Sequence, residues 1–183
     1  MECLRGNFDF DMKLFPLTEE SNIYASIISE VATLLQELVQ RLVRTPKKHH
    51  VFQLSLFIFH AHAKIVTYHR FDRFIYACAA VLFAGKLTEQ IEYPADILKT
   101  CRAILREKRG LEGEDSEEKQ RYMMKKLFEA EVNLMISVGF DMELEVGLTY
   151  LEEWERAIKD SHFFKTTAEQ LSKLYHTNTV LYF

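Results

Sequence analysis

Histidine is the first residue type to weigh, because neutral imidazole is the commonest metal ligand and a frequent general base. His60 and His62 stand two apart in the chain, so on a helix they face different ways, and His62 and His69 share a face only if one helix spans both. No carboxylate or thiolate accompanies them at ligand spacing, so solvated or hydrogen-bonded imidazoles are expected, with no metal and no cofactor. Three cysteines, Cys3, Cys78 and Cys101, are odd in number and lack a CxxC pattern, which fits a reducing compartment. Cys78 and Cys101 lie among apolar residues, where packing is the expected role. No P-loop, HExxH, GxSxG or glycine-rich phosphate cradle occurs, so no catalytic residue is assigned and no enzyme is expected.

The charged residues are more informative. Lys47-Lys48-His49-His50 is the one basic cluster of note, shorter than a nucleic-acid tract, and an exposed loop is expected there. Lys86 closes the most apolar run of the chain, FIYACAAVLFAGK, where a cation complements the negative end of a helix dipole. Glu131 sits inside an apolar stripe between Leu127, Phe128, Leu134 and Met135. A carboxylate in that position lies at the stripe's edge or is paired.

Positioning these residues falls to helices. Only 6 Gly and 3 Pro occur in 183 residues, too few for the closely spaced turns of an all-β domain. Behind an irregular arm ending near Pro16, Thr18-Glu19-Glu20-Ser21 offers caps and first-turn acids. Ile23, Ile27, Val31, Leu34, Leu35, Leu38 and Leu42 follow at helical spacing. Thr45-Pro46 is expected to end this helix and cap the next. Val51 to Ile65 carries both strand-like alternation and a helical face, and its length favours helix. Phe74 to Lys86 is apolar nearly all round and predicts a central buried helix.

Pro94 opens a fourth helix with Ile97, Leu98, Cys101 and Leu105 inward. Between Arg106 and Gln120 ten of fifteen residues are charged, a composition expected of a solvated loop. Ser116-Glu117-Glu118 starts a fifth helix stopping near Gly139, and two further helical segments are expected at 148–158 and 166–175. The chain has 48% apolar residues, a formal charge of −4 and a pI near 6.0, which argues for a packed core and against a phosphate backbone as main partner. The N-terminus shows no export pattern and no apolar run reaches membrane-spanning length, so neither secretion nor a membrane partner is expected.

Three stretches together resemble the cyclins. CAAVLFAGKLTEQ at 78–90 is similar to the third helix of a cyclin box, with its alanine-rich body, terminal Lys and following acid. EAEVNLMISVGFDMEL at 129–144 resembles the fifth helix and its exit, with a Glu nine residues before the Phe of a Phe-Asp pair. VATLLQELVQRL at 31–42 looks like the first helix as it occurs in cyclins T and K. The charged loop before the fifth helix is similar to that of the T, K and L types. LSKLYHTNTVLYF at 171–183 resembles the first helix of a second box.

The resemblance implies an all-α fold: an N-terminal arm at 1–20, a five-helix cyclin box at 21–143, and at 144–183 a linker with the first helical part of an incomplete second box. It implies a nuclear, non-catalytic subunit that binds and activates a cyclin-dependent protein kinase as a heterodimer, most similar to those phosphorylating the RNA polymerase II C-terminal domain. By position, Lys86 and Glu131 match the family's pair that hydrogen-bonds kinase backbone, and Leu87, Met135, Phe140 and Met142 match apolar contacts around it. A second class with the same box, the general transcription factors of the IIB type that bind promoter DNA and polymerase, predicts a basic face and a zinc ribbon. This sequence carries neither pattern.

Overall fold

The computed structural model describes residues 19–66, 71–90, 93–110, 116–142 and 144. They form five α-helices, α1 Glu19–Leu42, α2 Lys48–Ile65, α3 Arg73–Leu87, α4 Pro94–Arg109 and α5 Glu117–Ser137, with no strand among the described residues. The expected all-α class is present. The helical segments expected at 148–158 and 166–175, the second box and most of the N-terminal arm lie outside the described residues.

α3 is the axis on which the others pack. Asp72 caps it, its carboxylate accepting from the backbone N–H groups of Phe74 (3.0 Å) and Ile75 (3.3 Å). Ile75 and every residue from Ala77 to Gly85 are buried, and α3 touches α1, α2, α4 and α5. Ala77, Ala79, Ala80 and Ala84 keep the helix thin, while Val81, Leu82 and Phe83 fill the spaces between neighbours. Full burial of each large apolar side chain is worth about 1.5–3 kcal/mol, so this layer dominates cohesion. The ion pairs joining α1 to α4, Arg41 with Glu107 and Lys108 with Glu37, are exposed and screened by water.

α1 turns Val31, Leu34, Leu35 and Leu38 inward, and α4 turns Ile97, Leu98, Cys101 and Ile104. α2 is buried nearly all round, including Phe52, Leu54, Leu56, Ile58 and Phe59. Its apolar residues therefore do not select one period, and that is the origin of its strand-like appearance.

Four details depart from the sequence reading. Thr45 does not cap α2: Pro46 lies in a turn before it, Lys47 holds the N-cap position without a side-chain bond, and the Thr45 hydroxyl bonds the Gln90 side chain instead. The basic cluster is consequently the first turn of α2 rather than a loop, and Lys48 donates to the Gln40 carbonyl (3.2 Å). The charged stretch after Leu105 is partly helical, because α4 runs on to Arg109 and stops at Gly110 with φ 59°. Phe128 is exposed, since Leu127, Ala130, Glu131 and Leu134 form the inner side of α5 and Phe128 points away from it.

Candidate functional site

The C-terminal ends of α3 and α5 close by the same backbone device. At α3 the N–H of Gln90 donates to the Gly85 carbonyl (2.8 Å) and that of Glu89 to Lys86 (3.2 Å), with Glu89 in the left-handed region at φ 58°. At α5 the N–H of Phe140 donates to the Met135 carbonyl (2.8 Å) and that of Gly139 to Ile136 (3.0 Å). Both are Schellman closures. In α5 the left-handed conformation extends over two residues, Gly139 at 68° and Phe140 at 58°. An added Cβ on Gly139 would meet nothing within 4 Å, so glycine serves the backbone conformation there, not the available space.

Beside these closures Lys86 and Glu131 meet. The Lys86 ammonium donates to both carboxylate oxygens, at 2.7 and 2.9 Å. The Glu131 side chain is 6% exposed and the Lys86 side chain 46%, so a buried carboxylate is answered by a cation reaching in from solvent. The alternatives left open for Glu131 resolve to pairing. Leu87 and Met135 are half-buried and pack on the core, whereas Phe140 and Met142 are exposed. The structure thus joins Lys86 to Glu131 through side chains and Met135 to Phe140 through backbone; Leu87 adjoins Lys86 in the chain. Along α5, Phe128, Val132 and Ile136 are exposed at four-residue steps and lead toward Phe140, leaving an apolar row open to solvent.

Next to this row on α5, Asn133 and Ser137 belong to a polar network of which the sequence singled out only His62. His62 on α2 is 3% exposed, and its Nδ1 lies 2.7 Å from the Ser137 hydroxyl on α5. That hydroxyl donates to the Asn133 carbonyl (2.8 Å), so Nδ1 carries the imidazole proton and donates to Ser137. The opposite nitrogen, Nε2, is buried with no hydrogen-bond partner. Tyr76 of α3 stacks on the imidazole with ring centres 4.5 Å apart and accepts from the Asn133 side chain at 2.8 Å. Burial holds the His62 pKa below its ordinary value. The available signal was Asn133 and Ser137, two polar residues one turn apart on an otherwise amphipathic helix.

His62 is therefore hydrogen-bonded, and its helix ends at Ile65; His69 lies outside the described residues. Cys78 and Cys101 are buried free thiols. The hydrogen bond with Cys101 and full burial push Cys78 well above the usual thiol range. Among the described residues no group of His, Cys, Asp or Glu is arranged to hold a metal ion, and no helix is long and apolar enough to cross a membrane. Neither a protein-family model nor a curated protein matches this chain.

Proposed function

We propose that this chain is a cyclin, the non-catalytic subunit that binds and activates a cyclin-dependent protein kinase, and that it serves transcription in the nucleus. The observation that carries the reading is the Lys86–Glu131 pair: a half-exposed ammonium in the last turn of α3 meeting a buried carboxylate within α5, on the helix that leads to exposed Phe140 and Met142. The residue types and positions are those that the resemblance assigns to the kinase contact. The five-helix arrangement around a buried α3 is compatible with it.

In this mechanism the C-terminal end of α3 and the exposed side of α5 pack on the kinase's mobile helix and favour the conformation in which the kinase's Lys–Glu pair is closed. Lys86 and Glu131 hydrogen-bond kinase backbone. Leu87, Met135, Phe140 and Met142 supply apolar contact. Desolvated charge pairs of this kind cost about 2–5 kcal/mol in binding when truncated, against about 0–1 kcal/mol for a surface pair.

The test is to identify the kinase bound to the full chain in its own cells, purify it, and record peptide phosphorylation as each variant is titrated in. Lys86→Ala, Glu131→Ala and Glu131→Gln are expected to abolish activation, the double alanine variant losing less than the sum because both act on one contact. Activation at wild-type concentrations by all of them, with folding intact, refutes the assignment.

A further inference from the structure

The bend between α1 and α2 carries the one Ser or Thr of the chain that precedes a proline: Pro16 follows Phe15, Pro94 follows Tyr93 and Pro46 follows Thr45. Thr45, Pro46 and Lys47 are exposed and lie outside both helices. Pro46 disfavours the helical conformation at Thr45, so this hydroxyl sits on irregular backbone. α2 begins just beyond it without the usual anchors. Lys47 at the N-cap makes no side-chain bond and no acid stands in the first turn, so this end of the helix opens at little cost.

We propose that Thr45 is a phosphorylation site for a proline-directed protein kinase, and that its modification releases the exit of α3. A kinase cleft that offers no acceptor to the residue after the target selects proline there, because any other residue would bury an unpaired N–H. The Thr45 Oγ attacks the γ-phosphorus of ATP and its proton passes to the aspartate of the kinase's catalytic loop. The bond from the γ-phosphorus to the bridging oxygen breaks and ADP leaves. The phosphate then stands ahead of the N-terminus of an 18-residue helix and supplies the negative charge that its first turn lacks.

The same hydroxyl makes a contact that the reaction removes. Thr45 Oγ donates to Gln90 Oε1. The Gln90 amide group is oriented by its own loop: Nε2 donates to the carbonyls of Thr88 (2.9 Å) and Glu89 (3.2 Å), and the backbone N–H donates to Gly85 (2.8 Å). Thr45 therefore ties the α1–α2 bend to the exit of α3 that follows Lys86. An esterified Oγ has no proton to donate, and phosphate oxygens facing Oε1 set acceptor against acceptor. The tie is lost.

The experiment incubates the full folded chain with ATP and a purified, active mitogen-activated protein kinase, maps the phosphate by mass spectrometry and follows hydrogen exchange at the amides of Thr88, Glu89 and Gln90. A single phosphate on Thr45 is expected, with incorporation reduced at least about fivefold in Pro46→Ala. Exchange at the three amides should quicken at least about twofold in the phosphorylated chain and in Thr45→Val, and keep its original rate in unphosphorylated Thr45→Ser, which retains the hydroxyl. No incorporation, incorporation only after heat unfolding, phosphate on another residue, full incorporation in Pro46→Ala, or unchanged exchange after phosphorylation would each overturn the proposal. None of these readouts measures activation of a kinase, so their failure is separate from failure of the activator reading.

Discussion

Lys86 reaches Glu131 from the solvent side, and this asymmetry gives the two charges unequal weight in the isolated protein. Lys86→Ala strands a carboxylate that is 6% exposed, at a cost of about 1–3 kcal/mol. Glu131→Ala leaves an ammonium that water already reaches, at a cost of about 0–1 kcal/mol. The lysine variant should therefore melt lower than the glutamate variant in thermal denaturation, while both lose kinase activation; the reverse order would mean that the carboxylate has another partner. Glu131 was legible as an ion out of place in an apolar stripe, but its partner stands 45 residues away and no local pattern points there.

His62 makes a pH prediction. Its pKa is lowered in the fold by burial, so below about pH 6.5 the unfolded chain binds a proton that the native state resists. Its contribution to stability is present above that pH and is lost as pH falls toward the native pKa. His62→Asn, which keeps a donor near Ser137 and cannot titrate, should flatten the fall in melting temperature between pH 7 and pH 5. An unaltered slope would assign the acid sensitivity to other groups.

At the scale of elements, the two helix exits are built alike but from different residues. Glycine holds the left-handed position of α5 at 139, whereas α3 uses Glu89 at φ 58°, which disfavours a side chain with a Cβ. Glu89→Gly is expected to stabilise the fold by about 0.5–1 kcal/mol, read as a rise in the denaturation midpoint. Phe140 presents the opposite case: an exposed aromatic held at φ 58°, strain of the kind found where function fixes a side chain. Phe140→Gly should leave stability unchanged or raised and yet impair kinase activation; simultaneous loss of both would make Phe140 a structural residue.

The end of α5 could be read from Gly139, and the starts of α4 and α5 from Pro94 and Ser116, because those residue types act on their immediate neighbours. The end of α3 was legible from Lys86, one residue before its last, but its left-handed closure was not, since a glutamate stands in the glycine position. Of the Thr45-Pro46 reading, the end of α1 held, and the cap on α2 failed because a proline before a helix is equally at home in the preceding turn.

Across the whole molecule, four helices share α3 as their common neighbour. The alanine-rich run made that legible: a segment apolar on every side has no solvent face to present. The packing partners were not, because they follow from the three-dimensional arrangement rather than from spacing along the chain. Ala80→Leu, at a position with no exposed surface, should destabilise by about 1–3 kcal/mol, since the added atoms push neighbours apart. An unchanged melting temperature would remove α3 from the centre.

The shared axis has a further consequence for how the protein opens. Because α1, α2, α4 and α5 all rest on it, exposing α3 opens a packing surface of each of the other four described helices at once. Backbone amides from Ala77 to Gly85 should exchange with deuterium only through global unfolding, with one free energy that falls in parallel with overall stability as denaturant rises.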